Sequence, residues 1–210
     1  MWISRVTWQN PLPSNNYLFV LPYQKIKAHL QMGFFTRQTL SFKHTKESEK
    51  ENVMKRVQHH YAVNVEWTGN TGEGTSSYRT YSRDHIISAG GGDKAAIAGS
   101  ADPAFLGDPT RWNPEELLVA ATSACHKLWY LHLCADAGIV VQSYTDTPEG
   151  TMVEEPEGRF TQIQLKPCVT IRAQDDAELA RSLHHKAHQY CFIANSLNFP
   201  VLCEPEIKQA

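Results

Sequence analysis

The sequence predicts a two-layer α+β domain in which two helices pack among several antiparallel strands. Three observations lead there. Residues 61–67 and 160–171 alternate apolar and polar side chains with period two, as half-buried strands do. Asn113-Pro114-Glu115-Glu116 combines an N-cap residue, a proline at the first helical position and a glutamate at N3, which is how a helix starts. After Asp175-Asp176, either of which can cap, Leu179, Leu183 and Ala187 recur at i, i+4 and i+8, one apolar stripe of a second helix. Helices interspersed with strands of this kind bury their apolar faces against each other in two layers.

Along the chain, Tyr61, Val63, Val65 and Trp67 form the apolar face of a first strand, and Gly69 to Gly74 supply a turn. Ser77 to Ile87 reads as the return strand, with Arg79, Tyr81, Arg83 and His85 on one face. A long loop follows through Asp108-Pro109. Its Gly90-Gly91-Gly92 run lacks the Gly-Lys-Ser/Thr end and helix start of a phosphate cradle. The first helix spans Pro114 to Ala137 and stops at Gly138, about 36 Å at 1.5 Å per residue. From Leu117 to Cys125 it carries no charge on any face, which predicts an enclosed core helix. Val140 to Tyr144 and Thr151 to Glu154 bracket a Pro148-Glu149-Gly150 turn and, with a long strand from Phe160 to Ile171, suggest a meander. Beyond the second helix, Phe192 to Leu197 predicts a short helical turn. Phe199 to Ile207 predicts a final strand whose prolines suit an edge.

Composition narrows the function classes. The 210 residues carry 20 Lys/Arg against 22 Asp/Glu, a formal charge of −2, so the strongly basic surface of a nucleic-acid binder is not expected. No apolar run approaches the ~20 residues of a membrane span. The five cysteines are odd in number and irregularly spaced, and no secretory leader is evident, so free thiols in a reducing cytoplasm are expected. Charge is uneven, however: residues 1–54 hold seven Lys/Arg against three Asp/Glu, a net of +4. Residues 1–53 are read as a poorly ordered basic extension, and 54–210 as the domain, with Met54 a candidate true start.

Several chemistries find little support. Glu115-Glu116 and Glu154-Glu155 are sequence neighbours whose side chains diverge, and no Gly-x-Ser-x-Gly elbow occurs. His184, His188 and Cys191 at i, i+4 and i+7 can place three metal ligands on one helix face, but neither a fourth ligand nor a Cys-x-x-Cys pair accompanies them. A polar helix face is the simpler reading. On composition alone Cys125, Cys134, Cys168 and Cys203 are small hydrophobes, and nothing in spacing singles out a reactive pair.

The run Asn113-Pro-Glu-Glu-Leu-Leu-Val-Ala-Ala-Thr-Ser-Ala-Cys125, followed 66 residues later by Ala187-His-Gln-Tyr-Cys191-Phe-Ile-Ala-Asn195-Ser196, resembles the OsmC/Ohr family of osmotically inducible and organic-hydroperoxide-resistance proteins. The resemblance covers roughly residues 56 to 207. It implies an intertwined homodimer with sheets wrapped around two central helices, acting as a peroxidase on organic hydroperoxides with electrons from an external, lipoyl-linked dithiol. It implies no cofactor and no resident metal. By the same resemblance Cys125 is the peroxidatic thiolate, Cys191 the resolving thiol, and Glu115 the holder of an active-site arginine. Arg79, Arg83 and Arg111 compete for that last position. His126 after Cys125, where an aromatic is common, and Phe192 after Cys191, where a proline is common, mark a divergent branch.

Physical chemistry adds two constraints. Cys125 lies twelve residues past the N-cap, beyond the reach of the helix dipole, so a cation must stabilise its thiolate, and arginine suits. Glu115 and Cys125 are ten residues apart, about 15 Å on an unbroken helix, and cannot share a site within one chain. Either Glu115 serves the partner subunit's cysteine or the helix breaks between them. The alternative function is a non-catalytic binding protein with an apolar ligand in a dimer cleft lined by Trp129, Tyr130 and Phe192.

Overall fold

The computed structural model describes residues 57–154 and 157–210, so the basic extension expected over residues 1–53 lies outside the described residues. Chain order is β1 (Val63–Trp67), β2 (His85–Ala89), β3 (Ile97–Gly99), a 3-10 turn (Pro103–Phe105), α1 (Pro114–Ala137), β4 (Val141–Asp146), β5 (Glu149–Val153), β6 (Arg159–Leu165), β7 (Pro167–Ile171), α2 (Ala177–Tyr190), a second 3-10 turn (Ala194–Ser196), β8 (Val201–Cys203) and β9 (Glu206–Gln209). The strands form three three-stranded sheets, β1-β2-β3, β4-β7-β9 and β5-β6-β8. Among the described residues no helix is long and apolar enough to cross a membrane.

The α1 helix has the bounds its caps predict. The Asn113 side chain accepts the Glu116 N–H (2.7 Å), and Glu116 accepts the Asn113 N–H in return (3.1 Å). At the other end Gly138 takes φ 77°, which lets the Ile139 N–H reach back to the Cys134 carbonyl (2.9 Å). Of the two candidate caps for α2, Asp176 is the one used, its Oδ1 accepting the N–H groups of Glu178 and Leu179.

Several strand expectations need correction. The return strand begins at His85, not Ser77. Asn70 Oδ1 accepts the N–H groups of Gly72 and Gly74, and the Thr80 hydroxyl donates to the Ser77 carbonyl, so side-chain bonds hold this stretch in turns. Arg79, Tyr81, Arg83 and His85 therefore do not share one strand face. The long loop contains β3. The expected meander is absent, because β4 and β5 belong to different sheets. The long strand over Phe160 to Ile171 breaks at Lys166, whose N–H donates to Asp146 Oδ1 (2.8 Å) while Pro167 has no N–H to offer. The chain thereby crosses from one sheet to another. Its parallel neighbour crosses at the same level: β8 pairs with β6, β9 pairs with β7, and Pro205 lies between them.

Two cores result. One joins α1 and α2 to the β4-β7-β9 sheet through Tyr130, Cys134, Ile139, Val169, Ile171, Ala180, Leu183 and Ala187. The other packs Leu118 and Val119 of α1 against Ile163, Leu165 and Val201. On α2 the buried stripe is Ala180, Leu183, His184 and Ala187, whereas Leu179 is exposed. Among the described residues nothing buries β1 or the Ala120, Ala121 and Ala124 face of α1. Val63 and Val65 are 69% and 60% exposed, Leu128 is 65% exposed, and Ala120, Ala121 and Ala124 lie open beside it.

Asp175 fastens α2 to the end of α1. It accepts two bonds from the Arg172 guanidinium and the Val140 N–H (2.7 Å), which hold its carboxyl below the ordinary 3.8. A carboxylate depressed in the folded state stabilises fully above its unfolded value, and that contribution disappears as pH falls through the folded value. Asp175→Asn is therefore expected to lower the melting temperature at pH 7, with the gap to wild type closing below about pH 4. Thermal melts of both proteins across pH 2 to 7 check this.

Candidate functional site

Helix α1 is unbroken, so Glu115 and Cys125 sit about 15 Å apart along it, and the broken-helix alternative falls away. What lies beside Cys125 comes from α2. Cys191 follows the last residue of that helix, is fully buried, and has the Cys125 thiol as its neighbour. Burial pushes the Cys191 thiol up to about 11; Cys125 adds to this, and the Ala194 N–H, 3.5 Å from Sγ, opposes it. Near neutral pH Cys191 is thus protonated. Cys125 is partly exposed. An aromatic group overhangs this end of α2, where Trp129 meets Tyr190 (5.3 Å between centroids) and Phe192 (5.6 Å). Tyr130 does not join it: fully buried and stacked on His184 at 3.7 Å, it belongs to the core, which corrects the expected cleft lining.

Glu115 stands elsewhere. Together with Trp112, Val119, Met152 and Phe160 it lines a cavity of about 550 Å³ at the N-terminal end of α1. The three competing arginines have distinct surroundings. Arg79 is exposed. Arg111 faces two carboxylates, Asp84 at 3.6 Å and Asp108 at 3.5 Å. Arg83 lies over the rings of Tyr78 and Tyr81 (4.2 and 4.3 Å) and donates to the Tyr78 and Tyr81 carbonyls. Among the described residues Arg83 has no carboxylate partner.

The three-ligand face over His184, His188 and Cys191, set aside in favour of a polar helix face, is not assembled, and His184 is buried and does not lie on a polar face. His184 points into the core, where it meets His126 of α1 and Cys203 of β8, while His188 and Cys191 stand outside this group. Sequence reasoning missed the grouping because its members are 58 and 19 residues from His184, with no local spacing to reveal them. Cys203, expected inert, is one of the three.

The whole described domain has the shape of known proteins. An OsmC-like protein of unknown function from Vibrio cholerae is 31% identical over 70% of this chain and 99% of its own, with a TM-score of 0.63. The chain belongs to the OsmC-like family. Residues 107–206 independently match that family's sequence pattern. The OsmC-like fold is shared with an organic hydroperoxide resistance protein from Elizabethkingia anophelis (18% identity, 73% of this chain and 100% of that one, TM-score 0.52). It is also shared with one from Legionella pneumophila (17% identity, 73% and 99%, TM-score 0.52). No curated protein matches the chain. As an OsmC-like protein it is mixed α+β, with two helices among several sheets, as the sequence pattern predicts.

Proposed function

We propose that this OsmC-like chain is a cytoplasmic two-cysteine peroxidase for organic hydroperoxides, working as a homodimer. The observation that carries the reading is the pairing of a partly exposed Cys125 with a buried, protonated Cys191 at the helix junction. The Cys125 thiolate attacks the distal peroxide oxygen, the O–O bond breaks, and the alkoxide leaves as alcohol after taking a proton. Cys191 then attacks the sulfenic acid, a disulfide forms and water departs. An external lipoyl-type dithiol restores both thiols by exchange. Two structural relatives are named for organic hydroperoxide resistance.

What the described residues leave open supports the dimer. The exposed small-residue face of α1 and the apolar face of β1 suit a second copy. In such a dimer Glu115 serves the partner subunit's thiolate, and the 550 Å³ cavity holds the alkyl part of the substrate. Arg83, uncompensated by any carboxylate among the described residues, is the best-suited activating cation. The same cavity is what a non-catalytic binder of apolar molecules would use.

Turnover of an alkyl hydroperoxide with dihydrolipoamide separates the two readings, because a binder shows none with its thiols intact. Mixed dimers test the sharing of sites. Cys125→Ser and Glu115→Gln chains, each weak alone, are expected to regain activity when combined, since one of the two sites in a heterodimer is then intact. If Glu115 acted within its own chain, both sites would stay defective and mixing would restore nothing.

A further inference from the structure

We propose that His126, His184 and Cys203 bind a single zinc ion in the core between α1, α2 and the edge strand β8. The site uses neither Cys125 nor Cys191 and does not depend on the peroxidase reading. Nε2 of His126 lies 3.0 Å from Nδ1 of His184, and Sγ of Cys203 lies 3.7 Å from the first and 4.0 Å from the second. Tetrahedral zinc with Zn–N near 2.0–2.1 Å and Zn–S near 2.3 Å holds its nitrogens about 3.3 Å apart and each nitrogen about 3.6 Å from sulfur. Shifts of a few tenths of an ångström close the triangle around an ion. Two imidazoles and a thiolate are also the donors zinc prefers over oxygen-seeking cations.

The surroundings favour a ligand over a bare hydrogen-bonded pair. His126 and His184 are 1% and 3% exposed, and their outward nitrogens, Nδ1 and Nε2, are buried without partners. An apolar pair in the same space would leave no such atoms, so a fold that keeps two imidazoles here has a use for their inner nitrogens. The rings are already oriented, His184 stacked on Tyr130 and nearly parallel to His126 (10° between planes). Burial holds both histidines neutral, His126 at about 4 and His184 at about 3, with His188 acting on the first, and His126 and Arg181 on the second, in the same direction. The proton shared between Nε2 of His126 and Nδ1 of His184 moves to an outward ring nitrogen when the ion enters, which leaves both inner lone pairs for the metal. Burial, with the Asp146 and Glu204 carboxylates, pushes the Cys203 thiol up to about 12, and those two negative charges favour a cation beside it. Binding thus releases one proton, from Sγ of Cys203 to solvent. Cys203 is only partly buried and stands on the outer strand of its sheet. Three protein ligands leave a fourth position open, as in zinc sites that take water or an exogenous ligand.

The experiment uses the untagged full chain, reduced and stripped with a chelator, then titrated with zinc chloride and separately with cobalt chloride. One ion per chain is expected, with one proton released, and the cobalt form is expected to show a thiolate charge-transfer band with tetrahedral d–d absorption. Cys203→Ser should lose the charge-transfer band, and His184→Gln should lose stoichiometric binding, while Cys125→Ser and Cys191→Ser retain both. The wild-type spectrum alone decides if either core variant fails to fold. No thiolate band in the wild-type protein overturns the proposal. So does a band that survives Cys203→Ser and vanishes in Cys125→Ser or Cys191→Ser.

Discussion

Cys125→Ser is expected to reduce hydroperoxide turnover more than about 1,000-fold, to the uncatalysed background, because a serine hydroxyl is not ionised at neutral pH and nothing else at the junction replaces the nucleophile. Cys191→Ser should behave differently. Its Cys125 still breaks the O–O bond, so each chain releases one alcohol and then stalls as the sulfenic acid, which lacks the neighbouring thiol needed to form the disulfide. Stopped-flow measurement of alcohol release, with a sulfenic-acid trap, distinguishes a burst of one per chain from no burst at all. The asymmetry has a structural cause. Cys191 is sealed from solvent and kept protonated by burial, so it suits the second step, whereas Cys125 is open enough to meet a substrate.

Ile163→Ala is expected to destabilise the fold by about 2–5 kcal/mol, the cost of an unfilled cavity in a rigid core. Ile163 is fully buried at the centre of the β5-β6-β8 sheet, opposite Gly150 on one side and Val201 on the other. It belongs to the cluster packed against Leu118 and Val119, the part of α1 that follows Glu115. Urea unfolding should show a lower midpoint at unchanged slope. By contrast Leu202→Ala, on the 45%-exposed neighbour of Val201, should stay within about 0.5 kcal/mol. Equal effects at the two positions would mean that this sheet does not clamp α1, and the cavity beside Glu115 would lose its fixed wall.

How much of this was legible in the chain depends on how local the deciding chemistry is. The bounds of α1 could be read residue by residue, because the Asn113 to Glu116 box and Gly138 settle the two ends through bonds spanning a few residues. The break at Lys166 could not, since it is made by Asp146, twenty residues earlier in sequence. Period-two alternation in β1 marked a strand, but alternation does not say what covers its apolar face, and none of the described residues does. The Arg79 to His85 row failed for a different reason: side-chain caps from Asn70 and Thr80 outcompete strand pairing. Neither Cys125 nor Cys191 stands out by spacing, and only resemblance to a family selected them. The histidine and cysteine cluster had no signal of either kind, because tertiary packing alone brings residues 126, 184 and 203 together.

The central claim is that Cys125 and Cys191 act as one redox pair. Disulfide mapping by mass spectrometry, on the full chain given one equivalent of an alkyl hydroperoxide without reductant, tests it directly. The expected product is a single Cys125–Cys191 link within each chain, with Cys134, Cys168 and Cys203 still free. Recovery of Cys125 as a sulfinic acid beside an unmodified Cys191, or linked to any other cysteine, would contradict it.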